Sequence, residues 1–140
     1  MWNFLQSALL MAASIVLYDG CPTYPKFDSL WNFSDDLSIN HFGTSAPYLV
    51  ANMKKQIDIK KAHNLSSIRS ISSTGAPLPA EAFDYVYNHI KNDVWLCSMA
   101  GGTDVCTAFV GGLPEYAVNS GEIQCRALGV SLFAYDDNGN

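Results

Sequence analysis

The chain has 140 residues, enough for one domain with a modest core but too few for a multidomain enzyme. Hydrophobic residues make up 49% and charged residues 15%, with no internal repeat or low-complexity tract, which excludes disordered and fibrous classes. A net charge of −5 argues against nucleic acid as the main partner, because phosphate backbones need clustered Lys and Arg. Leu5, Ala8, Leu9 and Ala12 recur at helical spacing, so Trp2 to Ala13 reads as an amphipathic helix. Ile15 to Tyr18 then reads as a short buried strand, closed by Asp19-Gly20 and Pro22. No Lys or Arg precedes this apolar start, Asn3, Gln6 and Ser7 interrupt it, and no A-x-A site follows. Neither a targeting segment nor a membrane span is therefore expected.

Phe27 to Leu37 carries Leu30, Phe33 and Leu37 at helical steps, and Ile39 to Phe42 is a brief strand. Thr44 or Ser45 can cap a helix with Pro47 in its first turn, running to about Lys55. The polar stretch from Gln56 to Ser67 reads as loop. Ile68 to Ser72 is a strand, the run Ser73-Thr74-Gly75-Ala76-Pro77 a turn, and Pro79 opens a helix whose inner face is Phe83, Val86, Tyr87 and Ile90. Val94 to Ser98 is another buried strand, ending at Ala100-Gly101-Gly102. Glu122 to Arg126 and Val130 to Tyr135 read as short strands, and Asp136 to Gly139 as a hairpin-type turn in which the sequence stops.

Alternating strands and helices up to about Ser98 predict an α/β fold: a parallel sheet flanked by helices, with short strands at the C-terminal end. Low charge on a chain with much surface predicts that other protein covers part of it, and a homo-oligomer formed through exposed apolar surface follows as an expectation. Lys54, Lys55, Lys60 and Lys61 are interrupted by Asp58 and read as a solvated surface. Cys21, Cys97, Cys106 and Cys125 form no C-x-x-C pair, and with His41, His63 and His89 they offer no zinc spacing. Cys97 sits in an apolar run and is expected to be a reduced, buried thiol, which suits a cytoplasmic protein.

Ligands of an open parallel sheet collect beyond the C-terminal strand ends. Two loops would lie there side by side: Ser72 to Leu78 and Ser98 to Asp104. In the second, Gly101 and Gly102 let the backbone approach a phosphate, Thr103 offers a hydroxyl, and Asp104 offers the hard oxygen that Mg²⁺ prefers. Gly-Gly-Thr-Asp and Gly-Ala-Pro are also ordinary turn chemistry, and that plainer reading stays open at this point. Asp35-Asp36 and Asp136-Asp137 read as solvated.

The ordered pair Ser73-Thr74-Gly75-Ala76-Pro77-Leu78 and Gly101-Gly102-Thr103-Asp104 resembles the adenylate-forming superfamily of acyl-CoA synthetases, luciferases and peptide-synthetase adenylation domains. Met1-Trp2-Asn3-Phe4, Val16-Leu17-Tyr18-Asp19-Gly20 and Phe42-Gly43-Thr44-Ser45-Ala46 narrow the resemblance to its acetoacetate–CoA ligases, as do Tyr85-Val86-Tyr87 and Gly121-Glu122-Ile123-Gln124. The resemblance implies ATP and Mg²⁺ as cofactors and acetoacetate and CoA as substrates, reacting through an acyl-adenylate with release of pyrophosphate. It also implies that Gly75, Ala76 and Pro77 lie against adenine, with backbone from Ser98, Met99 and Ala100. Thr103 would contact the α-phosphate, beside Gly101 and Gly102. Asp104, where many relatives carry Glu, would bind Mg²⁺, and Thr74 and Gly101 would border the acyl pocket.

By the same resemblance, residues 1–140 are part of one AMP-binding domain. The Lys-bearing phosphate loop, the ribose-binding Asp with its following Arg, and the C-terminal lid domain with its Lys are not found in them. Loss of single charge-stabilising groups costs about 3–4 kcal/mol of transition-state stabilisation. The expectation is therefore a ligase fragment inactive alone; the alternative is a non-catalytic, nucleotide- or protein-binding remnant of the fold.

Overall fold

A computed structural model describes residues 2–140, with side chains from residue 5 onward. Helix α1 (Trp2–Leu10) precedes a long irregular stretch, then α2 (Ser29–Asp36) and strand β1 (His41–Ser45). Helix α3 (Ala46–Lys54) follows directly, because the Ser45 hydroxyl accepts the Tyr48 N–H at 3.4 Å and Pro47 fits the first turn. A single turn, α4 (Ile59–Ala62), lies inside the stretch expected to be loop, with Lys61 paired to Asp58 at 2.7 Å. After β2 (Ser70–Thr74), helix α5 (Ala80–Tyr85) runs into a π-helical turn, Val86–Ile90, and then β3 (Trp95–Ser98). The chain closes with β4 (Ala100–Gly102), β5 (Thr107–Gly111) and β6 (Cys125–Arg126).

Strands β1, β2 and β3 form a parallel sheet in that order, with His41 opposite Ser70 and Ser70 opposite Trp95. Side chains alternate across a strand, so Phe42, Ile71 and Leu96 share one face. That face carries the core, with Phe83, Val86 and Ile90 from the helical side all essentially sealed from water. Trp31 is fully buried and stacks on Phe42 with ring centroids 4.3 Å apart. Each such side chain contributes about 1.5–3 kcal/mol of burial free energy. The opposite face carries small polar groups: His41 Nδ1 lies 2.7 Å from the Ser70 hydroxyl, and its Nε2 3.1 Å from that of Ser72.

The other sheet is antiparallel, in the order β4-β5-β6. The fold is therefore mixed α/β, a parallel sheet with short antiparallel strands behind it, as the alternation of elements predicts. Several expectations shift in detail. Ile15–Tyr18 forms no strand, and neither does Val130–Tyr135. Both runs have strand-like composition, but no neighbouring strand is there to hydrogen-bond with them. The strand expected at Ile39–Phe42 lies further on, at His41–Ser45, and that expected at Glu122–Arg126 shrinks to Cys125–Arg126. Strand β5 has no counterpart in the sequence reading. Cys97 is buried as expected, and burial pushes its thiol pKa up. No helix of the described residues is long and apolar enough to cross a membrane.

Candidate ligase site

The site is built from the backbone outward. Ser73 pairs with Ser98 across β2 and β3, and the next amide, Met99 N–H, donates to the Ser73 carbonyl at 2.9 Å. That bond fastens the starts of the two candidate loops together at the C-terminal margin of the parallel sheet, where open α/β sheets bind ligands. Thr74, Gly75, Ala76 and Pro77 are exposed, and buried Leu78 anchors the loop behind them. Gly75 has φ +86°, a conformation that side-chain-bearing residues rarely adopt, and nothing stands within 4 Å of where a Cβ would be. The turn is thus tight in its backbone yet open above, leaving room for a flat group to rest on it.

The second loop differs from its expected form. Ala100, Gly101 and Gly102 are strand β4, and Thr103 to Cys106 make the turn into β5, closed by Cys106 N–H to Gly102 O at 3.0 Å. Thr103 and Asp104 therefore stand exposed at a hairpin tip. Among the described residues no hydrogen bond or ion pair ties them to the Gly75 turn. The two glycines also have different reasons to be glycine. A Cβ at Gly101 would lie 2.3 Å from the Thr107 carbonyl oxygen and 2.8 Å from the Ala108 Cα, at a register shift between Ala100 and Gly101. Gly102 has ordinary room, its nearest neighbour being Val105 at 3.5 Å.

One supporting residue escapes a reading by loops alone. Gln124 donates from Nε2 to the carbonyls of Leu113 (3.3 Å), Tyr116 (2.6 Å) and Ala117 (3.2 Å), while its Oε1 accepts the Trp95 indole N–H at 3.1 Å. It pins the chain after β5 against β3, and so holds the antiparallel sheet against the parallel one. A Cβ at Gly112 would come within 3 Å of Gln124, Trp95 and Cys97 together, so this junction is packed to the limit. The sequence signal was the Gly121-Glu122-Ile123-Gln124 stretch, which carried resemblance but no role.

A parallel sheet with an exposed Gly-Ala-Pro turn at its C-terminal margin, beside a glycine hairpin tipped with a hydroxyl and a carboxylate, is the fold of the adenylate-forming ligases. An anthranilate CoA ligase solved with anthranoyl-AMP shares that fold, with a TM-score of 0.74 at 22% identity over 91% of this chain. Within that class, the chain is a homologue of one segment of the acetoacetyl-CoA synthetases. It is 43% identical over 139 residues to the synthetase of Gallus gallus, and 42% identical over the same length to that of Rhizobium meliloti. The acetoacetyl-CoA synthetase of Streptomyces lividans superposes with a TM-score of 0.87 at 39% identity, covering 99% of this chain and 22% of that one. The chain spans about a fifth of the length of these relatives, 21% in the curated ones. No family model matches it.

Proposed function

We propose that this chain is the adenine- and acyl-contacting portion of an acetoacetate–CoA ligase, which uses ATP and Mg²⁺ to activate acetoacetate as an acyl-adenylate and passes it to CoA. The single observation that supports this most is similarity across 99% of the chain to proteins named acetoacetyl-CoA synthetase, with both candidate loops inside it. In this reading Gly75, Ala76 and Pro77 take the adenine face, helped by backbone of Ser98, Met99 and Ala100. Gly102 leaves space for phosphate, while Gly101 yields its side-chain position to the Thr107 backbone and offers only its main chain; Thr103 donates to the α-phosphate, and Asp104 holds Mg²⁺. Thr74 and Gly101 border the acyl group. An exposed carboxylate at a hairpin tip is free to turn toward a metal, and Mg²⁺ takes few protein ligands beside phosphates and water. A reducing compartment, the cytoplasm, suits the buried thiol of Cys97.

Alone, the chain is inactive, because the groups that stabilise charge at the transferring phosphoryl lie in other parts of such ligases. The test has two arms, each measuring pyrophosphate release from ATP, Mg²⁺ and acetoacetate. The isolated chain should give none. A Streptomyces lividans synthetase carrying this chain in place of its matching segment should give acetoacetate-dependent release, lost in Asp104→Ala. Turnover by the isolated chain at the level of a full ligase would sink the reading. So would a folded chimera that ignores acetoacetate.

A further inference from the structure

One side-chain cluster, on the sheet face away from the core, has no part in the proposed reaction. His41 on β1 and Ser70 and Ser72 on β2 share that face, with the imidazole ring between the two hydroxyls. Its Nδ1 is 2.7 Å from Ser70 Oγ and its Nε2 is 3.1 Å from Ser72 Oγ. With the ring proton on Nδ1 and donated to Ser70, Nε2 is an acceptor aimed at the Ser72 hydroxyl. Partial burial lowers the His41 pKa below the usual 6.5, so the ring is neutral and able to take a proton at pH 7. A hydroxyl bonded to a base that a third group orients is the arrangement of an activated nucleophile. The cluster also opens onto a space. His41 and Gly43 line a groove of about 350 Å³ whose other walls include Val16, Leu17, Phe33 and Ile39. A Cβ at Gly43 would lie 3.6 Å from Ser72 Oγ, and its absence leaves the half-buried hydroxyl uncovered on the groove side. Among the described residues lining the groove there is no carboxylate, Lys or Arg, and Tyr18 is the one titratable group besides His41.

We infer that Ser72 and His41 are an acyl-transfer pair, with Ser72 Oγ the nucleophile toward small uncharged esters seated by their apolar part in this groove. In the first half-reaction Ser72 Oγ bonds to the ester carbonyl carbon and its proton passes to His41 Nε2. The ester C–O bond breaks, and the leaving oxygen carries that proton away as an alcohol or phenol. In the second, water bonds to the acyl carbon and gives a proton to Nε2. The bond from that carbon to Ser72 Oγ breaks, Oγ recovers the proton, and a carboxylic acid departs. Ester and water thus become acid and alcohol with no other reactant. An uncharged substrate suits walls without a charge, since an unpaired charge is costly to withdraw from water. General-base assistance alone is worth roughly 10²–10⁴ in rate, so the pair suits aryl esters, whose leaving groups need least help. Neither residue is assigned to adenine, phosphate, Mg²⁺ or the acyl group in the ligase reading, so the two stand or fall separately.

The probe is p-nitrophenyl acetate, with the 140-residue chain itself as catalyst. The chain should release p-nitrophenolate faster than buffer does, and mass spectrometry of acid-quenched protein should find an acetyl group on Ser72. Ser72→Ala and His41→Gln should each lower the protein-dependent rate by about a hundredfold, the low end of general-base assistance. Ser70→Ala, which frees the ring but keeps nucleophile and base, should cost about tenfold. The parent's rate should rise with pH through the lowered His41 value and level off by pH 7, whereas attack by a surface amine would keep rising. Ser72→Cys, close in shape to the parent, supplies the readout where the alanine variant fails to fold: it should carry the acetyl group at position 72. The inference is overturned if a Ser72→Ala variant with the parent's circular dichroism keeps the parent's rate, or if Ser72→Cys stays unlabelled at that position. It is also overturned if the acetyl group is found on exposed Cys21 or on lysines and not on Ser72.

Discussion

At Gly101 the hairpin leaves no space for even a methyl group, since the atom in its way is a backbone carbonyl rather than a flexible side chain. Overpacking against rigid neighbours typically costs 1–3 kcal/mol, so Gly101→Ala should lower stability by about 2 kcal/mol in urea denaturation. Asp104→Ala, at an exposed tip, should change stability by less than about 0.5 kcal/mol. His41 supplies a separate handle. Its ring, held between the Ser70 and Ser72 hydroxyls, is partly withdrawn from water, which lowers its pKa below the usual 6.5. The fold therefore prefers the neutral ring, and the unfolded chain takes up the proton first. That contribution is complete above about pH 6.5 and is lost as pH falls through the lower folded value. In His41→Gln the urea midpoint should fall less between pH 7 and pH 5 than in the parent.

The elements obey the sequence wherever one face had to be buried. The Phe83, Val86 and Ile90 stripe appears as read, although the helix relaxes into a π turn at Val86–Ile90, a change that apolar spacing does not encode. The Ser45 cap and the strand ending at Ser98 were legible for the same reason, since apolar runs ended at turn-forming residues, whereas β2 starts later than expected and runs past Ser72 to Thr74. Ile15–Tyr18 and Val130–Tyr135 were misread because a strand is defined by its neighbour as much as by its residues. Thr107–Gly111 went unread because Ala108-Phe109-Val110 is a short unbroken apolar run, with no polar alternation in its residue types to mark a strand. At the site, the neighbouring loops followed from βαβ logic, but the hairpin through Gly101 and Gly102 did not. A pair of glycines reads equally well as loop or as bulged strand. The Gln124 staple should show its weight directly: Gln124→Ala leaves the Trp95 indole and several carbonyls short of a partner, costing about 1–2 kcal/mol. Hydrogen exchange across residues 113–117 should quicken, while that of β1 and β2 stays unchanged.

As a whole, the molecule is a well-sealed layer of helices on one side of a parallel sheet, with apolar residues unsheltered at both ends of the chain. Leu17 and Tyr18 stand 61% and 41% exposed, and Phe133 and Tyr135 64% and 69%, in segments without any strand or helix to hold their backbone. A protease needs an extended, pliable substrate with an accessible anchor residue, and each segment offers both. Chymotrypsin, which prefers large apolar and aromatic side chains, should therefore trim the chain from its two ends inward. Mass spectrometry should find cuts after Tyr18 and Phe133 well before any at Phe42 or Phe83, and the surviving piece should keep all three parallel strands. The order of the cuts thus maps how firmly each part of the backbone is held: the sheet last, the irregular apolar segments first.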